Sequence, residues 1–150
     1  MNPENKLYND LRDYKAKSPG PWWHMTRIES STVPGIPDLN VVSYKFGKDS
    51  TDIISQDFWL ELKAQETTEP RIRPAQFAWM LKRSMMIGSA PCWVLNRHPK
   101  TKEIAMWRIH EKVYAERKSA ERIAILDIPT FTFNSVEELV STSPERFQLR

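Results

Sequence analysis

Hydrophobic positions along this chain switch between helical and strand spacing, and the switches mark out its elements. Over 3–17, PENKLYNDLRDYKAK, Leu7, Leu11 and Tyr14 fall on one face and Pro3 suits a first turn, which predicts an amphipathic helix. Ser18-Pro-Gly-Pro21 ends it. Residues 22–29, WWHMTRIE, read as a strand with mixed faces, and 30–37, SSTVPGIP, as a loop. Leu39–Phe46, LNVVSYKF, is β-branched and aromatic and predicts a strand. The polar stretch 47–56 is a connection longer than a tight hairpin, leading to a strand over 57–65.

A proline-bounded loop follows, and Pro74 opens a helix predicted over 74–87, which Gly88 terminates. Phe77, Leu81 and Met85, or Ser84 in its place, mark its apolar stripe. Cys92–Asn96 is a short apolar strand, Arg97–Lys102 a basic turn, and 103–109 a returning strand. Residues 110–121 read as a helix, 123–133 as extended, and 135–140 as a short capped helix. The order α-β-β-β-α-β-β plus an appendix predicts an α/β or α+β domain, a central mixed sheet with helices packed on it. We take 4–109 as the core and 110–150 as the appendix of one domain, as the length of 150 residues suggests.

Composition changes this picture little. The chain is 40% hydrophobic and 27% charged, as soluble domains are. No run approaches a membrane span, and the polar N-terminus does not read as a secretory signal, so a cytoplasmic protein is expected. The single cysteine, Cys92, excludes an internal disulfide and reads as core, and the three histidines, His24, His98 and His110, are too dispersed for a zinc site. A net charge of +3 permits nucleic-acid binding without demanding it.

The chemistry gathers in Phe58–Gln65, FWLELKAQ. Strand alternation puts Phe58, Leu60 and Leu62 on one face and Trp59, Glu61 and Lys63 on the other. Glu61 and Lys63 then lie roughly 6.5–7 Å apart, either as a solvated ion pair or as part of a site. Asp38, 23 residues upstream, stands where a Pro-Gly loop enters a strand. It either caps that turn or faces Glu61 across adjacent strands. Two neighbouring carboxylates repel, burial makes each harder to ionise, and a divalent cation such as Mg²⁺ relieves the conflict. Lys63 is then placed to hold or deprotonate the attacking water, or to neutralise charge on the phosphorus centre, as phosphodiester hydrolysis requires.

Pro37-Asp38 followed by Glu61-Leu-Lys63 resembles the PD-(D/E)XK nuclease superfamily. The context GIPDL, WLELK and RIRPAQ leading a helix that ends Met-Ile-Gly is similar to the VRR-NUC and Holliday-junction-resolvase-like branch. The stretch WHMTRIESSTVPGIPDLN looks like its small phage-encoded members. The resemblance covers about residues 4–97, and beyond about 110 nothing matches. It implies a restriction-endonuclease-like core and a metal-dependent DNA endonuclease, with Mg²⁺ as cofactor and Mn²⁺ as substitute. It makes Asp38 and Glu61 metal-binding acids, Lys63 the catalytic lysine and the Leu62 backbone carbonyl a further ligand. Gln76 matches the glutamine that opens the helix after the active-site strand. Glu4 is the first choice for an acid on the first helix, with Asp10 in reserve. By family analogy the substrate is branched DNA such as a Holliday junction, and two-strand cutting calls for two sites, which a homodimer supplies. A sequence-specific or nicking nuclease, or a DNA-binding protein without catalysis, are the alternatives.

Basic residues add a candidate DNA surface: Arg71 and Arg73 in the loop, Lys82 and Arg83 further along the helix, with Lys45, Lys48, Arg97, Lys100 and Lys102. Its plain counterpart is a solvated basic face. Arg27, with Glu29, either approaches the site and a phosphate or pairs within the sheet. Trp59 shares the face of Glu61, while Trp22, Trp23, Trp79, Trp93 and Trp107 read as core.

Overall fold

The computed structural model describes residues 2–28, 33–49 and 51–148; Glu29 lies outside them. The chain runs α1 (Pro3–Asp13), β1 (Trp22–Arg27), β2 (Leu39–Phe46), β3 (Ile53–Lys63), β4 (Arg71–Ile72), α2 (Pro74–Ser84), β5 (Cys92–Arg97) and β6 (Ile104–Arg108). It continues with β7 (Ala115–Ser119), β8 (Arg122–Ile125), β9 (Phe131–Phe133), α3 (Val136–Val140) and a 3-10 turn (Pro144–Gln148).

The main sheet has six strands in the order β1-β2-β3-β5-β6-β9. Its ladders are antiparallel except for β3–β5, where Glu61 stands beside Val94 in parallel register. A parallel pair needs a crossover, and the segment with β4 and α2 supplies it. Both faces are covered. Phe58, Leu60, Leu62, Trp93, Leu95 and Met106 pack with Leu7 and Leu11 of α1, Leu139 of α3 and Phe147. On the other face Val94, Cys92 and Trp107 pack with Met80 of α2 and with Ile72 and Ile125 of a second sheet, ordered β4-β8-β7. Double coverage explains why β5 is buried from end to end. No helix among the described residues is long and apolar enough to cross a membrane.

Several sequence expectations need correction. The first helix stops at Asp13 instead of 17, because Tyr14 turns extended and packs against the core. The third strand begins at Ile53, since Phe46–Ile53 pairing carries the β2–β3 ladder through what reads as a polar connection. The second helix ends at Ser84, and its buried residues are Gln76 and Met80; Met85, expected on the stripe, is exposed. The helix expected over 110–121 is instead a turn leading into β7. The segment Glu116-Arg117-Lys118 offers no apolar stripe for a helix to bury. Antiparallel pairing with β8, together with the Tyr114 N–H donated to Asp127 Oδ2 at 2.8 Å, holds it extended instead.

Candidate active site

Register brings the two acids together. Leu39 pairs with Leu60, so Asp38 and Glu61 meet one step beyond, where β2 begins and β3 nears its end. Each carboxylate accepts a backbone N–H from the other strand. The Asp38 N–H donates to Glu61 Oε1 at 3.2 Å, and the Leu62 N–H donates to Asp38 Oδ2 at 3.0 Å. Lys63 Nζ lies 3.3 Å from Glu61 Oε2.

Helix α2 closes the site from the other side. Gln76 Nε2 donates to Glu61 Oε2 at 2.7 Å, and Gln76 Oε1 accepts the Arg73 N–H at 3.0 Å. Gln76 is buried because both ends of its amide are used, as a buried amide requires. The loop carrying Asp38 is pressed onto this helix start. Gly35 has φ +89°, and a Cβ there would run into the Ala75 carbonyl, so only glycine fits.

Glu61 is 1% exposed. Burial, then the charge of Asp38, push its carboxyl up to about 7 against the opposing pull of Lys63. Glu4, on the first turn of α1, is also raised, by burial first; it feels Lys63, Asp38 and Arg73. Asp10, the alternative acid, is committed elsewhere. Burial pushes its carboxyl up, but hydrogen bonds from Lys6 and Arg97 outweigh that and hold it low. Arg97 Nη1 lies 2.8 Å from Asp10 Oδ2. Among the described residues no group of three His, Cys, Asp or Glu side chains is drawn together as a ready ion cage.

The basic residues scatter. Arg97 is buried against Asp10, Lys45 lies 3.6 Å from Glu145 and Lys100 3.3 Å from Glu66. Arg83 sits over the Trp79 ring at 4.6 Å and Trp59 at 5.9 Å, packing the tryptophan that shares the face of Glu61. Lys82 is exposed in the last turn of α2, at the end remote from Gln76. Arg27 lies over Tyr8 at 4.7 Å. Arg71 and Arg73 do come to the site. With Lys63, Gln65 and Arg122 they line a recess of about 340 Å³. Sequence reading missed Arg122, because only the β4–β8 register places it there. A larger recess of about 770 Å³, lined by Met85, Ile87, Arg108 and His110 among others, contains none of the acids. His98 and His110 are turn residues whose Nδ1 atoms accept backbone N–H groups.

No protein-family model and no curated protein matches the sequence. Among solved structures the chain is similar to Hjc of Archaeoglobus fulgidus, a Holliday junction resolvase from an archaeal hyperthermophile. Identity is 14%, over 91% of this chain and 98% of that one, with a TM-score of 0.50. At that identity the likeness concerns architecture alone: the central mixed sheet with its flanking helices is a restriction-endonuclease-like fold of mixed α and β class.

Proposed function

We propose that the protein is a divalent-metal-dependent DNA endonuclease of the PD-(D/E)XK type, VRR-NUC-like, that hydrolyses phosphodiester bonds. One observation carries the reading: Asp38 and Glu61, 23 residues apart, meet across adjacent strands beside Lys63, where the Glu61 carboxylate accepts the Asp38 N–H and the Asp38 carboxylate accepts the Leu62 N–H. The donor set fits a hard cation. Two carboxylates crowd together, and one of them is held up to about 7 by burial and its neighbour, a conflict that positive charge relieves. In a strand a residue's N–H and C=O leave on the same side, so the Leu62 carbonyl, like its N–H, is turned toward Asp38.

Asp38, Glu61 and the Leu62 carbonyl would hold the ion, Mg²⁺ with Mn²⁺ as substitute. When bound, such an ion supplies Lewis-acid stabilisation of the phosphate and acidifies water. Gln76 fixes the Glu61 carboxylate by its amide. Lys63 neutralises charge building on the phosphoryl oxygens and orients the attacking water. Glu4 adds a further carboxylate at the rim. We place one nuclease domain over 1–150, acting on branched DNA such as a Holliday junction; the substrate named for the Hjc structure supports that choice. A homodimer would supply the paired sites that two-strand cutting needs.

The test is cleavage of junction, flap, linear duplex and single-stranded DNA by the purified chain with Mg²⁺, Mn²⁺ or chelator. Metal-dependent cutting of the junction is expected. Salt-dependent DNA binding with no cutting under either ion would make it a DNA-binding protein that keeps the fold.

A further inference from the structure

We propose that the recess beside Lys63 holds a second phosphate of the nucleic-acid strand, neighbouring the one at the acids and gripped between Arg73 and Arg122. The proposal rests on the nuclease reading for its substrate class, and the recess is its own observation. Arg71 pairs with Ala124 and Ile72 with Ile123, so the next step of the β4–β8 register sets Arg73 opposite Arg122. Like charges placed opposite each other on antiparallel strands destabilise the pair. The fold nevertheless keeps them there. Among the described residues neither Arg71, Arg73 nor Arg122 forms an ion pair, although the charge of Arg73 is near enough to Glu4 to oppose the rise that burial gives its carboxyl. Arg122 spends one guanidinium nitrogen on the Glu121 carbonyl, at 3.0 Å, and leaves the rest of its fork to the recess.

The frame that carries these cations is fixed. Gln65 Nε2 donates to the Arg71 carbonyl and Gln65 Oε1 accepts the Arg71 N–H, both at 2.8 Å, so a side-chain amide extends the ladder where no strand lies. Asn96 in turn accepts the Gln65 N–H at 2.8 Å. Ile72 anchors the strand in the core. Guanidinium forks match phosphate oxygens in pairs, and a phosphate between Arg73 and Arg122 turns their repulsion into attraction to a shared anion. Lys63 lines the same recess and touches Glu61, so it joins the two phosphate positions. The second sheet, whose strand β8 lies beyond the stretch that resembles the superfamily, thereby gains a role in the site through the arginine it delivers, Arg122.

The phosphate could belong to a passing diester or to a strand's 5′ end, and one experiment separates them. Binding of the full chain to 3′-labelled duplexes carrying 5′-phosphate or 5′-hydroxyl is followed by anisotropy in Ca²⁺, over KCl from about 50 to about 200 mM. Arg122→Gln is expected to flatten the slope of log affinity against log salt by about 0.9, the share of one phosphate contact. Arg122→Lys keeps the charge and restores the slope. Lys118→Gln, on β7 beside Glu116, leaves it as in wild type. A loss on both duplexes marks a passing diester, and a loss only with 5′-phosphate marks an end pocket. In cleavage, KM rises while kcat holds, as for binding shared by ground and transition states. A wild-type slope in Arg122→Gln on both duplexes overturns the recess and leaves the nuclease reading standing if the protein still cuts. A protein that binds but never cuts loses the nuclease reading, while the slope still decides the recess.

Discussion

Gln76 and Glu61 meet through one hydrogen bond of 2.7 Å that joins the start of α2 to the buried carboxylate of β3. The same amide also takes the Arg73 N–H, so truncation strands two buried partners. Gln76→Ala should cost about 1–3 kcal/mol in chemical denaturation. Gln76→Glu, which sets a third carboxylate against Glu61 and Asp38, should cost more at pH 8 than at pH 5. Equal stability of Gln76→Ala and wild type would show that the bond carries no weight.

Lys63→Ala should reduce cleavage at least about a hundredfold, the scale for removing one group that stabilises transition-state charge. DNA affinity should fall by no more than one phosphate contact. The decisive pair of measurements is single-turnover cutting and equilibrium binding on the same junction. Undiminished cutting would remove Lys63 from the chemistry.

Glu61 couples stability to pH. Its carboxyl is raised from the usual 4.5 to about 7, by burial first and Asp38 second. The folded chain therefore holds that proton more tightly than the unfolded one. The stabilisation from this group is complete below pH 4.5 and is lost as pH rises through about 7, a change on the order of 3 kcal/mol. A divalent cation needs the ionised form, so the rise in Tm that Mn²⁺ produces should grow between about pH 6 and about pH 8. Thermal melts with and without Mn²⁺ read both trends, and Glu61→Gln should flatten them.

Gly35→Ala tests the loop that carries Asp38. With φ +89° and the Ala75 carbonyl in the way, any side chain must push the loop off α2. We expect a loss of about 2 kcal/mol or more together with lost cleavage, read by melting and by junction cutting. Full activity with unchanged Tm would mean that the loop is not held by α2.

Arg97 separates charge that binds from charge that builds. It is buried against Asp10 at 2.8 Å. Arg97→Gln should therefore destabilise by about 1–3 kcal/mol and leave the salt slope of DNA binding unchanged. A flatter slope would return Arg97 to the DNA surface.

The parts of the fold that sequence made legible were those with strong local pattern. Strands β2, β5 and β6 are apolar runs between turn residues, and their bounds are nearly those expected. The nearness of Asp38 and Glu61 stood in the sequence as one of two readings, beside a turn cap at Asp38, and the Pro37-Asp38 and Glu61-Leu-Lys63 resemblance favoured it; the β2–β3 register brings the two together. What stayed hidden depends on pairing at a distance. Ile53–Asp57 is a largely exposed hairpin arm whose strand character comes from β2. Strand β4 has two residues and therefore no period to detect. The hairpin of β7 and β8 has too few apolar positions to announce itself. Arg97 and Arg122 look alike as sequence. Only burial beside Asp10 in one case, and register opposite Arg73 in the other, tells them apart.

Phe147 stacks on Phe58 with ring centroids 4.9 Å apart, and its carbonyl accepts the Trp93 indole N–H. During synthesis every residue at the acids would emerge well before that ring, and the face of the sheet that α1 covers in part would stay open around Phe58 and Trp93 until it arrived. A chain truncated near residue 110 and released should thus expose Phe58 and Trp93 and recruit chaperones, whereas one that extends past 147 should not.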